Sequence, residues 1–473
     1  MSKKEDILNK LFSLQRFGIK PGLERTLKLS GYLENPHLKF PSVHVAGTNG
    51  KGSVCALLAS ILMEAGYKVG LYTSPHLVNF NERIRINHAE ISDDEMVELA
   101  EILLIGEEKW ECTFFEINTV MAFEYFARNQ IDIAIIETGM GGRFDSTNIL
   151  SPLLSIIASI DLDHKEYLGN TLEEIAFEKA GIIKKNTPVI IPKYGQSVKN
   201  VIAEMAQSQN SILYDSSELC FVGNHLFNSD FTQSFDLIFK NHNYKNVLLG
   251  IAGKHQIGNV AEVITANDIL TENLAITPEH IYQGLANVKN NTGLRGRIEP
   301  YFLEDRSQKS EDRISVNRDP GNKNLKLTTL NSQLTTDNGQ PITDNPIILD
   351  TGHNPGAIRK LVESLRLHRP DIEKWNFVYG GMADKDIKSN LKIIQPQCEE
   401  LILTRPQIDR AMELQKLKEI AEELQFQKIA IKPEVTDAVK YAIHSGKSVV
   451  ISGSFYLAGE ALPLLEKMLK FQS

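Results

Sequence analysis

Residues 40–46, Phe-Pro-Ser-Val-His-Val-Ala, form an apolar run of strand character that leads straight into Gly47-Thr48-Asn49-Gly50-Lys51-Gly52-Ser53. Residues 53–65 then carry apolar side chains at helical spacing, and Gly66 follows as a stop. A strand, a glycine-rich turn and a helix in that order gather backbone N–H groups and a helix N-terminus around one point, which makes an anion site. Glycine lets the backbone approach a phosphate with no Cβ in the way. Lys51 is then placed for the β- and γ-phosphates of a nucleotide. The spacing departs from the common phosphate loop. Val45 stands where that pattern has glycine, and Gly52 separates Lys51 from the Ser53 hydroxyl. A plain glycine-rich turn competes with this reading, and the strand–loop–helix context weighs against it.

Such a unit belongs to a parallel sheet covered by helices. Further β-type runs at 67–73, 131–137, 153–160 and 188–192, with helical patterns between them, extend it. From residue 346 the alternation is cleaner: PIILD, VYGG, ELILT, KIAIK and SVVISG alternate with helical stretches near 356–368, 384–394, 412–424 and 435–444. That pattern predicts a second doubly wound α/β unit. At 473 residues the chain is too long for one core, so two or three domains are expected. Residues 301–346 are polar and without apolar period, which reads as a linker or surface excursion with no catalytic residue.

The net charge of −9 argues against a nucleic-acid partner, so binding of anions must rest on locally concentrated positive charge. Cys55, Cys112, Cys220 and Cys398 are scattered with no CxxC pair, which suits a reducing cytosol. The opening MSKKEDILNKLFSLQ reads as a charged amphipathic helix, and neither a secretory leader nor a membrane span is expected. A cytoplasmic location follows as the expectation.

Three polar clusters end apolar strands: Thr73-Ser74-Pro75-His76, Glu137-Thr138-Gly139-Met140-Gly141-Gly142-Arg143 and Asp161-Leu162-Asp163-His164. In open α/β sheets ligands bind at the carboxyl ends of strands, so Ser74, Glu137, His164 and the phosphate loop are expected on one rim. Singly each has an ordinary explanation as a cap, a strand-end ion pair or a loop histidine. Together they offer oxygen ligands of the kind Mg²⁺ takes beside a nucleotide, with His164 the less usual member.

With these residues in place the chain resembles the folylpolyglutamate synthase/dihydrofolate synthase family of the Mur ligase superfamily. The likeness spans nearly the whole chain. It rests on FGIKPGLER (17–25), HVAGTNGKGS (44–53), LYTSPHL (71–77), TFFE (113–116), ETGMGGRFDSTN (137–148), DHKEYLG (163–169), EKAGI (178–182), HQIGN (255–259), LDTGHNP (349–355), ADKD (383–386), TRP (404–406) and GSFYLAGE (453–460). The resemblance implies an α/β fold: a P-loop-containing Mur-ligase-like central domain over residues 1–298, a polar linker or insertion at 299–346, and a smaller doubly wound Rossmann-like C-terminal domain over 347–473.

It also implies roles. Gly47, Thr48, Asn49, Gly50, Lys51, Gly52 and Ser53 would hold ATP, with Asn259, Arg297 and Asp350 beside it. Ser74, Glu137 and His164 would hold Mg²⁺. Lys179, which resembles a lysine carried as a carbamate, joins Asp350 and His353 as catalytic groups, the latter two closing from the second domain. Phe115, Glu116, Asp145 and Ser146 fall in segments resembling those that hold the pterin in bifunctional relatives. The ordinary explanation of Lys179, with Glu173, Glu174 and Glu178 on the same helix, is a solvated ion pair; that of the Phe115 and Asp145 segments is a core helix start and a turn.

Three departures stand out: Leu294-Arg295-Gly296-Arg297 where relatives often read Trp-Pro-Gly-Arg, the long polar stretch 301–346 where relatives have a compact connection before LDTGHNP, and Asp409 where proline is common. The expected activity is an ATP-dependent addition of L-glutamate to dihydropteroate, to a reduced folate, or to both, by a monomer acting on small molecules. A polyglutamate-adding activity alone, a Mur-type cell-wall ligase and a regulatory nucleotide-binding module are the competing readings. The last would not need the second α/β unit with Asp350 and His353.

Overall fold

The computed structural model describes residues 3–14, 20–302 and 345–470. The start of the FGIKPGLER segment and residues 303–344 of the polar stretch lie outside the described residues.

The first sheet has eight strands: β1 (Ser42–Ala46), β2 (Val69–Tyr72), β3 (Ile84–Ile86), β4 (Ala89–Glu90), β5 (Ile133–Glu137), β6 (Leu154–Ile157), β7 (Val189–Ile191) and β8 (Leu213–Asp215), in the order β4-β3-β2-β5-β1-β6-β7-β8. β1, β5 and β6 are buried along their whole length, which is why they read as unbroken apolar runs. β1 lies parallel between β5 and β6, with Val45 opposite both Glu137 and Ile156. Only the β2–β3–β4 edge is antiparallel.

The helix Lys51–Glu64 is buried over most of its surface, between the sheet and the helices Gln256–Leu270 and Pro278–Ala286. Gly284 meets Ile61 so closely that a Cβ there would lie 2.6 Å from the Ile61 Cα. This is a helix crossing that needs a missing side chain.

The sequence pattern did not anticipate the second sheet, β9 (Cys220–Phe227), β10 (Gln233–Phe239) and β11 (His242–Leu249), which is antiparallel throughout. Its inward residues Phe235, Leu237 and Phe239 alternate with outward ones and extend the main core.

The third sheet holds β12 (Glu299–Tyr301), β13 (Ile347–Leu349), β14 (Trp375–Tyr379), β15 (Cys398–Leu403), β16 (Ile429–Ile431) and β17 (Val449–Ser452), in the order β12-β13-β17-β14-β15-β16. Five of these strands are the alternating runs expected after residue 346. The sixth, β12, comes from the segment read as linker and pairs antiparallel with β13. The helices Pro355–His368, Ile387–Ile394, Leu414–Glu423 and Val435–His444 match the expected stretches. The second of them starts at Ile387 because the Asp386 carboxylate caps it, accepting the Ser389 N–H at 3.0 Å. Among the described residues no helix is long and apolar enough to cross a membrane.

Candidate active site

The loop after β1 turns at Gly50, which has φ +89° and precedes the helix Lys51–Glu64. A Cβ at Gly50 would sit 2.9 Å from the Asn259 Oδ1, so backbone freedom and a close neighbour both require glycine. Asn259 is held by its own helix, donating to Gln256 Oε1 at 2.6 Å. Lys51 folds back on the loop and donates to the Gly47 carbonyl at 3.1 Å, while Glu137 Oε1 stands 4.0 Å away.

Glu137 ends β5 and is buried. Its Oε2 accepts the Ser74 N–H at 3.2 Å. Burial pushes its carboxyl upward in pKa, opposed by Lys51. Ser74, Glu137 and His164 all line one cleft with the loop, as the strand-end argument requires. His164 is kept neutral near neutral pH, its pKa lowered to about 4 mainly by burial. Among the described residues no three His, Cys, Asp or Glu side chains converge as a metal cage. What the site offers a cation is a desolvated carboxylate, a hydroxyl and a neutral imidazole.

Lys179 corrects its ordinary explanation. It is 2% exposed, and its Nζ donates to the Gly47 carbonyl at 2.7 Å. Burial drives its pKa well below that of a free lysine. The neighbouring glutamates are occupied elsewhere: Glu178 pairs with Arg143 at 2.6 Å, and Glu174 caps its own helix. The amine therefore faces the phosphate loop rather than solvent.

The opposite wall comes from the third sheet and the segment before it. Arg297 donates to the Thr351 hydroxyl and lies 5.3 Å from the Phe455 ring. A Cβ built on Gly52 would be 3.5 Å from both Arg297 Nη2 and Glu137 Oε2, so guanidinium and carboxylate flank the helix N-terminus. Asp350 is buried and accepts the N–H groups of Gly352 at 2.8 Å and Ile298 at 3.1 Å. His353 Nδ1 lies 3.1 Å from the Thr351 carbonyl and Nε2 lies 3.6 Å from Asp163 Oδ2. Both walls enclose about 350 Å³.

The expected pterin residues are placed differently. Phe115 packs its ring on Gly139, where a Cβ would come within 2.4 Å of it. Glu116 is buried, accepts its own helix's Thr113 N–H at 2.6 Å, and pairs with Arg25 Nε at 2.9 Å. Asp145 Oδ2 takes the N–H groups of Gly139 and Met140, both at 2.9 Å, and Oδ1 takes the Thr147 N–H at 3.0 Å and its hydroxyl at 2.5 Å. Ser146 opens the short turn Ser146–Ile149. None of the four lines the cleft; Gly139, Met140 and Gly141, which Phe115 and Asp145 support, do.

The structure adds residues to which the sequence assigned no role. Asp163 Oδ1 accepts Lys385 Nζ at 2.6 Å across the two halves of the chain, and Oδ2 takes the Asn354 amide at 3.3 Å. Lys385 and Phe455 lie in ADKD and GSFYLAGE, segments whose signal was present without a function attached.

A phosphate-loop sheet facing the mostly parallel third sheet across one cleft is the architecture of a Mur-type ligase, and the sequence profile of the Mur ligase middle domain matches residues 45–267 while that of the Mur ligase glutamate ligase domain matches 339–455. The chain is 32% identical to the dihydrofolate synthase/folylpolyglutamate synthase of Bacillus subtilis over 94% of its own length and 95% of that protein. It is 30% identical to the dihydrofolate synthetase of Saccharomyces cerevisiae over 94% and 97%. Folylpolyglutamate synthase from Thermotoga maritima superposes with a TM-score of 0.78 at 30% identity, covering 98% of this chain and 96% of that one. Escherichia coli FolC, solved in complex with DHPP and ADP, superposes with a TM-score of 0.77 at 25% identity over 98% of both. The chain belongs to the dihydrofolate synthase/folylpolyglutamate synthase family.

Proposed function

We propose that the protein joins L-glutamate to dihydropteroate and to reduced folates, using ATP and releasing ADP and phosphate. One observation carries the reading: Lys51 and Arg297 flank Glu137 at the N-terminus of the helix Lys51–Glu64, Lys179 reaches the Gly47 carbonyl of the same loop, and Asp350 and His353 line the cleft with them. The names of the Bacillus subtilis and Saccharomyces cerevisiae relatives support the substrates, and the ADP of the Escherichia coli complex supports the nucleotide.

A carboxylate resists a nucleophile because of its charge. In the first step a substrate carboxylate oxygen attacks the γ-phosphorus, the bond to ADP breaks and an acyl phosphate forms. In the second the glutamate amine attacks the acyl carbon, phosphate leaves with the C–O electron pair, and the amine gives up a proton. Negative charge accumulates at every stage. Lys51, Arg297 and the backbone N–H groups of the loop are preorganised to meet it. His353, which lines the cleft with its Nε2 3.6 Å from Asp163 Oδ2, is our candidate acceptor for the amine's proton. Water must be excluded from the acyl phosphate, and enclosure between two sheets provides for that.

Mg²⁺ fits the residues present. Glu137 is a desolvated carboxylate with one backbone donor and a distant lysine, and Ser74 and His164 line the same cleft. Mg²⁺ keeps waters and takes phosphate oxygens, so a full protein cage is not required. When bound it supplies positive charge among the phosphate oxygens. Residues 1–298 would form the ATP-binding unit and 347–473 the unit that presents glutamate. We place the protein in the cytoplasm as a monomer.

The test is phosphate release with ATP and L-glutamate, using dihydropteroate or tetrahydrofolate as the acceptor. Release that requires both glutamate and a pterin substrate is the expected result. ATP hydrolysis indifferent to both would overturn the reading.

A further inference from the structure

A second cavity, of about 70 Å³, adjoins the main cleft and shares Gly52, Ser74, Glu137 and Arg297 with it. Its remaining walls come from elements with no role in the chemistry above: the end of β2, Glu82, Arg85 of β3 and residues 292–295. Gly52 offers no side chain, and a Cβ there would lie 3.5 Å from both Arg297 Nη2 and Glu137 Oε2. Arg297 and Glu137 therefore stand where the two spaces meet, at the N-terminus of the helix Lys51–Glu64. The space holds a few waters or one tetrahedral oxyanion and is too small for a nucleotide or a pterin.

The donors on these walls favour an anion. The Arg85 guanidinium lies against Gly293, where φ is +65° and a Cβ would be 2.8 Å from the guanidinium carbon and both terminal nitrogens. Arg85 gives one of those nitrogens to Glu90 at 2.5 Å and has no other hydrogen bond among the described residues. Arg297 uses Nη1 on Gly296 and Thr351, which leaves Nη2 directed at Gly52. The carboxylate of Glu82 is taken up by the N–H groups of Leu77 at 2.7 Å, Val78 at 2.9 Å and Asn79 at 2.7 Å. Arg295 is spent on Glu299, Tyr301 and Glu466, and its side chain is 34% exposed, so this end of the cavity reaches solvent.

The reaction leaves inorganic phosphate beside the phosphate loop while ADP and the lengthened amide still occupy the cleft in front of it. Guanidinium groups match the oxygens of a phosphate and can meet its charge along a path out. We infer that the small cavity is the exit site for inorganic phosphate, which passes Arg297 and is held by Arg85 on its way to solvent. This rests on the ligase reading above.

The experiment times chemistry and phosphate release separately in a single turnover with ATP, L-glutamate and a pterin substrate. Quenched samples give the amide, and a fluorescent phosphate-binding protein gives free phosphate. Leu294→Trp places an indole in the cavity from a residue outside the chemistry. It should leave the rate of amide formation within about 2-fold and lengthen the lag before free phosphate by about 10-fold or more. Arg85→Gln, which removes a cation without filling the space, should raise the inhibition constant of added inorganic phosphate about 10-fold, and Arg85→Lys should recover part of that loss. An unchanged lag in Leu294→Trp, an equal slowing of amide and phosphate, or an unchanged inhibition constant in Arg85→Gln overturns the assignment while leaving the ligase reading intact. Failure of wild type to form the amide defeats the ligase reading itself.

Discussion

Lys179 Nζ donates to the carbonyl of Gly47 at 2.7 Å, so a residue from the helix Leu172–Ala180 reaches into the phosphate loop without a carboxylate to neutralise it. Burial lowers the amine's pKa well below that of a free lysine, which favours the neutral form that reacts with CO₂. The expected outcome is a carbamate at Lys179. Isotope-labelled bicarbonate should give a carbamate carbon signal in wild type that is missing in Lys179→Met. That variant should lose turnover about 100- to 1,000-fold while retaining nucleotide binding. A wild-type spectrum without the signal at saturating bicarbonate and nucleotide would contradict it.

Asp145 spends its carboxylate on four donors from the turn around it, two of them from Thr147, whose hydroxyl oxygen also meets His44 Nε2 at 2.8 Å. A carboxylate has about four acceptor positions, so a pterin bound at Asp145 must displace one of these bonds. We expect Asp145→Ala to raise KM for dihydropteroate about 10-fold or more, with a smaller effect on tetrahydrofolate. Thr147→Val is the control, since it loosens the turn and leaves the carboxylate. Parallel losses in the two variants for both substrates would make Asp145 a support for the Gly139–Gly141 turn and remove it from a dedicated dihydropteroate pocket.

Gly284 carries the contact between the helices Pro278–Ala286 and Lys51–Glu64, and its carbonyl accepts the Ser60 hydroxyl at 2.7 Å. In Gly284→Ala the methyl group meets the Ile61 backbone, which cannot yield as a side-chain tip could. Overpacking of this kind costs about 1–3 kcal/mol. Urea unfolding should show an unfolding free energy lower by that amount, with the midpoint shifted to lower urea. Stability equal to wild type would mean that the crossing relaxes freely.

How far the sequence could be read follows from which interactions are local. β1, β5 and β6 are buried on both faces, so their apolar runs stand out, and the glycine loop after β1 is contiguous. The β9–β11 sheet was missed because its inward side chains alternate with polar ones and its shape depends on pairing across turns. At Glu116 the same residues carry a second local signal, which the sequence reading did not name. Thr113-Phe114-Phe115-Glu116 has the spacing of a capping box, and the structure uses Glu116 as one. The surroundings of Lys179 could not be read from its own helix, because Gly47 lies 132 residues away.

Asp163 and Lys385 are 222 residues apart in sequence and 2.6 Å apart in space, with side chains only 10% and 12% exposed. Asp163 also receives Asn354, whose side chain reaches Asn49 of the phosphate loop at 3.2 Å. One carboxylate therefore ties the third sheet to the rim where ATP is expected. If closure protects the acyl phosphate, loosening this tie should let water compete with glutamate. Asp163→Asn and Lys385→Met are each expected to lower glutamate-dependent product formation and to raise the share of ATP hydrolysed without product. The pair should be coupled by about 0.5–3 kcal/mol in a double-mutant cycle on kcat/KM. The double variant should then be little worse than either single one. Losses that simply add, with product formed for every ATP consumed, would show that the two side chains act independently and that the tie does not control closure.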